Sequence, residues 1–177
     1  VPPKEISSYI YGMAAEEVIF SPLSRIIQIP VFSSDGELIN RPGYYAKDRL
    51  LYIPYNKTPI QVSQNPTEEE IKEAKELLEN DILVDFDLKQ ADKAHAIAYF
   101  LLFFCREMIP GPTPLHIFEA AKQGTGKTLL AESIMKTLTL GNYMIISKPS
   151  DEEEFRKKIT TALLSNVSGF CLDNVET

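Results

Sequence analysis

The pattern of apolar and polar positions changes twice along the chain and divides it into three parts. In the first part, from residue 25 to 55, short runs of β-branched and aromatic residues alternate with turn residues, which is typical of short strands. The sequence Ser-Ser-Asp-Gly at 33–36 predicts a hairpin turn, and Arg-Pro-Gly-Tyr at 41–44 predicts a second turn. This part is therefore β-rich, with strands predicted at 26–29, 31–32, 37–39 and 50–53.

The middle part is helical and follows a polar linker at 56–66 that contains two prolines. Thr67 followed by Glu70 is the pattern of a capping box, which predicts a helix from Thr67 to about Asn80. A long apolar run at 89–107 predicts a second helix, and the sequence Ile-Pro-Gly-Pro that follows ends it.

The last part alternates between strand and helix patterns. Ser150 is placed to cap the second of its helices, and Gly141 to end the first. An alternation of this kind implies right-handed crossovers and a parallel sheet, and so an α/β fold. The predicted elements are a strand at 115–119, a helix at 126–140, a strand at 143–147, a helix at 151–164 and a strand at 168–172.

Composition limits the class of protein. The 177 residues include 44% hydrophobic and 24% charged positions, which fits an ordinary globular chain. The net charge of −7 gives no bulk attraction to nucleic acid. Cys105 and Cys171 lie inside apolar runs and are expected to be buried thiols in a reducing compartment. No apolar run approaches 18 residues, so we expect a cytoplasmic protein that does not interact with membranes.

A glycine-rich loop carries the clearest chemical signal. The P-loop pattern is G-x-x-x-x-G-K-[ST], and the chain matches its last three positions at Gly126, Lys127 and Thr128, with Ala121 in place of the first glycine. The loop follows an apolar strand pattern and precedes a helix, which is the context that a P-loop needs. We expect the phosphate-binding residues to be Ala121, Lys122, Gln123, Gly124, Thr125, Gly126, Lys127, Thr128 and Leu129.

The specified positions of this pattern and the glycine at its fourth position have physical roles. Gly124 and Gly126 lack a Cβ, so the backbone can curve closely around an anion and direct successive N–H groups into one concavity. The N-terminus of the following helix adds its dipole. Lys127 brings a cation to the β- and γ-phosphates, and the Thr128 hydroxyl is a ligand for Mg²⁺. We therefore predict ATP and Mg²⁺ as cofactors.

A second motif lies 45 residues after Thr128, where the apolar run 169–172 ends in Asp173. An acid at the end of such a strand is typical of a Walker B segment, and Asp173 is predicted to hold Mg²⁺ through water. Asn174 follows where many P-loop ATPases have glutamate. An amide orients water or senses the γ-phosphate but takes no proton, so Glu176 is the candidate for the base; the alternative for Asn174 is a turn residue. Lys127, Asp173 and Asn174 form the predicted catalytic set.

Other polar and aromatic groups favour structural roles. His95 and His116 each stand alone in apolar surroundings, so we interpret them as core or interface histidines rather than metal ligands. Tyr44, Tyr45, Tyr52 and Tyr55 fit aromatic packing between strands better than base stacking. The basic run at 156–158 is expected to face solvent, with contact to DNA as the alternative.

The motifs together resemble the ATPase part of phage, plasmid and mobile-element primase–helicase proteins, which are similar to superfamily 3 helicases and to the AAA+ class. The resemblance spans about residues 25–177. It includes the Gly-Thr-Gly-Lys-Thr loop, the Leu172-Asp173-Asn174 ending, Val84-Asp85-Phe86 before the long helix, and the segment from Asp35-Gly36 to Ile53-Pro54. The loop is specific for nucleotide binding, whereas the other pieces are only typical of the family.

The resemblance implies an organisation and an activity. The fold is expected to be a three-layer P-loop NTPase core at 111–177, truncated at its C-terminal side. A helical lead-in at 63–110 and a β-rich N-terminal segment at 1–62, part of a preceding domain, come before it. The full protein is expected to form a hexameric ring that hydrolyses ATP and unwinds DNA during replication. The sensor residue and the arginine finger are expected downstream, so the fragment alone is expected to hydrolyse ATP poorly.

Two other functions fit the same motifs. A small-molecule kinase also uses a P-loop, although about 120 residues before the loop are unusual for that class. A non-catalytic nucleotide-binding scaffold is compatible with Asn174. A GTPase is disfavoured because the chain lacks an N-K-x-D motif.

Overall fold

The computed structural model describes residues 3–17, 20–55, 59–120, 124–149, 151–165 and 167–173. A π-helical turn, Leu78–Ile82, follows the second helix, and a 3₁₀ turn, Arg106–Met108, follows the third. The helices are α1 (Lys4–Glu17), α2 (Glu68–Leu77), α3 (Gln90–Cys105), α4 (Lys127–Thr139) and α5 (Glu152–Leu164). The strands are β1 (Arg25–Ile27), β2 (Val31–Phe32), β3 (Leu38–Ile39), β4 (Gly43–Tyr45), β5 (Leu50–Tyr52), β6 (Tyr143–Ser147) and β7 (Gly169–Asp173).

The N-terminal part forms two small sheets. β5 is the central strand of one, parallel to β1 and antiparallel to β4, while β2 and β3 pair as the predicted hairpin. The buried Ser33 hydroxyl accepts the N–H groups of Asp35 and Glu37 and so fixes the hairpin turn. The second turn is shorter than predicted, because Gly43 and Tyr44 already pair with β5. A first hydrophobic core lies here, formed by Ile27, Val31, Ile39, Leu50 and Tyr52.

The capping box predicted for α2 is confirmed. Thr67 Oγ1 accepts the Glu70 N–H at 3.2 Å, and Glu70 Oε2 accepts the Thr67 N–H at 2.7 Å. These two bonds satisfy N–H groups that the first helical turn leaves without an acceptor. The Thr67 N–H and the Thr67 hydroxyl, which donates to Glu70 Oε2 at 3.0 Å, lower the pKa of the Glu70 carboxyl because they stabilise its charged form.

A second hydrophobic core joins the helical lead-in to the helix after the loop. Its buried members come from the segment before α3, from α3 itself and from α4: Leu83, Ala96, Phe100, Leu130, Ile134 and Leu138. Phe103 of α3 packs against this core and against the N-terminal core. Arg25 of β1 lies 5.8 Å from the Phe103 ring centre and donates to Glu107 at 2.8 Å. α3 therefore holds the N-terminal sheet and α4 in place.

The last part contains one parallel strand pair. β6 and β7 align from Tyr143 opposite Gly169 to Ser147 opposite Asp173, and α5 is the crossover between them. α4 packs closely on β7, because a Cβ on Gly169 would lie 3.1 Å from Met135 Cε. The parallel pairing agrees with the predicted alternation, whereas the complete three-layer P-loop core stays a prediction.

Two predictions for this part need correction. Residues 115–119 do not form a strand, although their exposure alternates with a period of two. A strand needs a neighbouring ladder, and no described strand pairs with this segment. Ser150 lies outside the described residues, and the cap of α5 is Asp151, whose carboxylate accepts the Glu154 N–H at 2.9 Å.

Within the described ranges, no helix combines the length and the apolarity that crossing a membrane requires.

Candidate functional site

The described half of the glycine-rich loop has left-handed glycines and precedes a helix, as predicted, but the strand predicted before it at 115–119 is not formed. Gly124 has φ +76° and Gly126 has φ +84°, so both adopt the left-handed conformation that residues with a Cβ rarely occupy. Gly126 is also the N-cap of α4, and its carbonyl accepts the Leu130 N–H at 2.8 Å. The loop thus turns directly into a helix of 13 residues.

Lys127 and Thr128 are the first two residues of α4. The first N–H groups of a helix have no acceptor inside the helix and carry the positive end of its dipole. Both side chains are half-buried at this end. A cation, a hydroxyl and amides without an acceptor inside the helix are therefore concentrated at one point of the chain, as phosphate binding requires.

The end of β7 meets the start of α4. Thr128 Oγ1 donates to Asp173 Oδ1 at 3.2 Å, and both groups are partly buried. The Gly169–Met135 approach at the other end of the strand fixes α4 antiparallel to β7. The two motifs recognised separately in the sequence, the loop threonine and the strand aspartate, are therefore adjacent in space.

This pair fits the chemistry of Mg²⁺. A hydroxyl oxygen and a carboxylate oxygen are hard ligands, and Mg²⁺ is commonly held by one or two carboxylates together with water and substrate phosphates. Among the described residues, no group of three or more His, Cys, Asp or Glu side chains forms a metal cage. Thr128 and Asp173 would thus share the ion with phosphate oxygens rather than enclose it.

Several predicted site residues lie outside the described part of the chain. They are Ala121, Lys122, Gln123, Asn174 and Glu176. The structure places Gly124, Thr125, Gly126, Lys127, Thr128 and Leu129 at the turn and the first helical turn. The roles predicted for Asn174 and Glu176 stay predictions.

A cavity of about 550 Å³ opens beside the loop. Thr125, Gly126 and Lys127 form one wall, and the segment before α3 forms another, with Phe86, Asp87 and other residues. The Phe86 ring lies close to the loop, since a Cβ on Gly126 would be 3.6 Å from Phe86 Cε1. The volume is within the range typical of small-molecule sites.

The sequence does not predict the rest of the cavity lining. Phe86 belongs only to the family resemblance, and no pattern assigns Asp87, Leu88 or Asp92 to the site. No local signal identifies them, because they reach the loop only through the packing of α3 on α4. Asp92 has a structural task as well, since it accepts the Lys89 N–H at 3.2 Å and caps α3.

His95 and His116 both line the cavity, although the sequence suggested that they act separately. The His116 ring lies 4.5 Å from the Tyr99 ring, centre to centre, as an interface histidine would. Its Nε2 atom is buried with no hydrogen-bond partner among the described residues. Burial lowers the pKa of His116, and the nearby His95 lowers it further, because both disfavour the imidazolium form.

The remaining basic and aromatic candidates have contacts that fit structural roles. Arg156, Lys157 and Lys158 are exposed on α5, as predicted, and the two lysines pair with Glu153 and Glu154. Of the four clustered tyrosines, Tyr52 is fully buried and Tyr45 packs against the N-terminal core, in agreement with strand packing.

The two cysteines are half-buried rather than fully buried. Cys171 precedes the site aspartate on β7 by two residues. Burial raises the pKa of its thiol, and Asp173 and Glu132 raise it further. A thiol with a raised pKa stays protonated and unreactive, which supports the structural role predicted from the sequence.

Comparison with known proteins gives no match to a family model, to a curated protein or to a solved structure.

Proposed function

We propose that this chain binds Mg²⁺–ATP through the loop at 121–129 and is the ATP-binding part of a motor that unwinds DNA. One observation carries the nucleotide-binding part of the proposal, the 3.2 Å contact between Thr128 Oγ1 and Asp173 Oδ1. An accidental glycine-rich turn would have no reason to bring its threonine to an aspartate at the end of a neighbouring strand.

The residues of the site have distinct tasks. The amides of the loop and of the first turn of α4 bind phosphate oxygens, and Lys127 neutralises charge on the β- and γ-phosphates. Thr128 and Asp173 would hold a magnesium ion, and the ion would supply withdrawal of electron density from the phosphates. Asn174 orients water rather than deprotonating it, so a base must come from another residue, with Glu176 as the candidate.

The motor activity, the hexameric ring and the binding of DNA rest on the resemblance to primase–helicase proteins, whereas a cytoplasmic location rests on the short apolar runs and the two thiols. The acidic net charge of −7 agrees with a role in which DNA contacts are local rather than spread over the surface. The exposed basic residues on α5 are the described candidates for such contacts, although Lys157 and Lys158 already pair with glutamates.

The test is ATP turnover by the full-length protein with and without single-stranded DNA, together with the Lys127→Ala variant. Turnover that DNA stimulates and that the variant lacks supports the proposal. Phosphate transfer to a metabolite would identify a kinase instead. Tight nucleotide binding without turnover would identify a scaffold.

A further inference from the structure

We infer that the cavity between the loop and the segment before α3 receives the adenine base of the nucleotide, with Phe86 as its aromatic contact. This inference rests on the proposed function, since it assumes that the loop holds the phosphates. It adds the part of the site that recognises the nucleoside.

The cavity and the loop are continuous. Thr125, Gly126 and Lys127 line the cavity and also belong to the phosphate-binding turn. A nucleotide with its β- and γ-phosphates on the loop amides therefore has room for its other half in this space. The volume of about 550 Å³ is sufficient for a purine nucleoside.

Charge fixes which end of the nucleotide enters. Lys127 lines the cavity on the side of the loop, and Asp87 and Asp92 line the same cavity. Carboxylates repel phosphates, but they accept hydrogen bonds from an exocyclic amino group such as N6 of adenine. The phosphates consequently stay with Lys127 and the loop amides, and the carboxylates are left to the base.

The surface of the cavity suits an aromatic ring. Phe86, Leu88 and Ala96 supply apolar walls, and stacking of a base on an aromatic side chain contributes to affinity without the need for a special sequence motif.

The test compares two probes, ATP and inorganic tripolyphosphate, by calorimetry with the full-length protein and Mg²⁺. Phe86→Ala is expected to weaken ATP binding about tenfold and to leave tripolyphosphate binding within about twofold. Phe104→Ala is the matched control, because Phe104 packs against the same core but does not line the cavity. It is expected to leave the affinity for both probes unchanged.

A second variant covers the case in which Phe86→Ala unfolds. Ala98 lines the cavity from an exposed position on α3, so Ala98→Trp fills space without disturbing the core, and it is also expected to weaken ATP binding selectively. If both folded variants bind ATP as tightly as the unaltered protein, or lose both probes equally, the base site is overturned. If Lys127→Ala retains both probes, the phosphate site itself fails, which is a separate outcome.

Discussion

Thr128 Oγ1 donates a hydrogen bond of 3.2 Å to Asp173 Oδ1 across a sequence separation of 45 residues. The bond links the first turn of α4 to the last residue of β7. Bringing a hydroxyl and a carboxylate this close creates a ligand pair for a hard cation.

The Asp173 carboxylate is expected to provide the magnesium dependence of nucleotide binding. Asp173→Asn keeps the size of the side chain but removes the charge, so the gain in ATP affinity on adding Mg²⁺ is expected to fall about tenfold or more, because charged partners contribute strongly to such contacts. The measurement is the ATP dissociation constant with Mg²⁺ and with EDTA. Asp151→Asn is the control, because asparagine also caps a helix. Unchanged magnesium dependence in Asp173→Asn would remove this residue from the site.

Lys127 is expected to contribute directly to phosphate affinity. Lys127→Ala removes the cation at the start of α4, and the affinity for Mg²⁺–ATP is expected to fall about tenfold or more. Titration with a fluorescent ATP analogue measures the loss. Lys136 lies in the last turn of the same helix with its side chain exposed, so Lys136→Ala is a matched control with the same change in charge. Equal affinities in the two variants would contradict the phosphate-binding loop.

Replacing Gly126 by alanine is expected to destabilise the protein. Its φ of +84° is unfavourable for alanine, and the new Cβ would lie 3.6 Å from Phe86 Cε1, an ordinary contact. Backbone strain alone is therefore expected to reduce the free energy of unfolding of Gly126→Ala by about 1–2 kcal/mol. Urea denaturation measures the change. Gly12 lies inside α1 with nothing near its Cβ position, so Gly12→Ala is expected to be neutral or stabilising. A variant Gly126→Ala as stable as the unaltered protein would show that the turn relaxes.

The ion pair between Arg25 and Glu107 is expected to matter more than an exposed pair. Burial lowers the pKa of Arg25, whereas the negative charge of Glu107 raises it. The charged guanidinium is therefore stabilised by this partner. Glu107→Gln weakens the 2.8 Å bond and is expected to cost about 2 kcal/mol of unfolding free energy. Glu153→Gln removes the exposed pair with Lys157 and is expected to cost less than about 0.5 kcal/mol. Equal costs in thermal denaturation would contradict a role for burial.

His116 is expected to make stability depend on pH. Its pKa in the folded protein is lower than the ordinary value of 6.5, so on acidification the unfolded chain takes up the proton first. Its contribution is therefore complete above pH 6.5 and decreases as the pH falls from there toward the folded pKa. Unfolding free energies measured from pH 8 to pH 5 should show this decrease. His116→Phe keeps a ring beside Tyr99 and is expected to reduce the slope; an unchanged slope would assign it to other groups.

The sequence by itself determined the features that depend on neighbours along the chain. The capping box of Thr67 and Glu70, the hairpin at 33–36 and the left-handed glycines of the loop follow from residue type and spacing, because each involves contacts within a few residues. The limits of β6 and the presence of α4 and α5 follow from apolar runs bounded by turn residues. The sequence also predicts the roles of Thr128 and Asp173, each as a member of its own motif. It does not show the contact between them.

Tertiary structure alone decided what depends on distant segments. Residues 115–119 have the alternation of a strand but no described neighbour to pair with, and pairing is a property of two segments. The cavity wall at Phe86 and Asp87 exists because α3 and α4 share a core, and the bond between Arg25 and Glu107 spans 82 positions. The physical reason is the same in each case. Backbone preferences act locally, whereas a buried contact forms only where packing brings together groups that the sequence keeps apart.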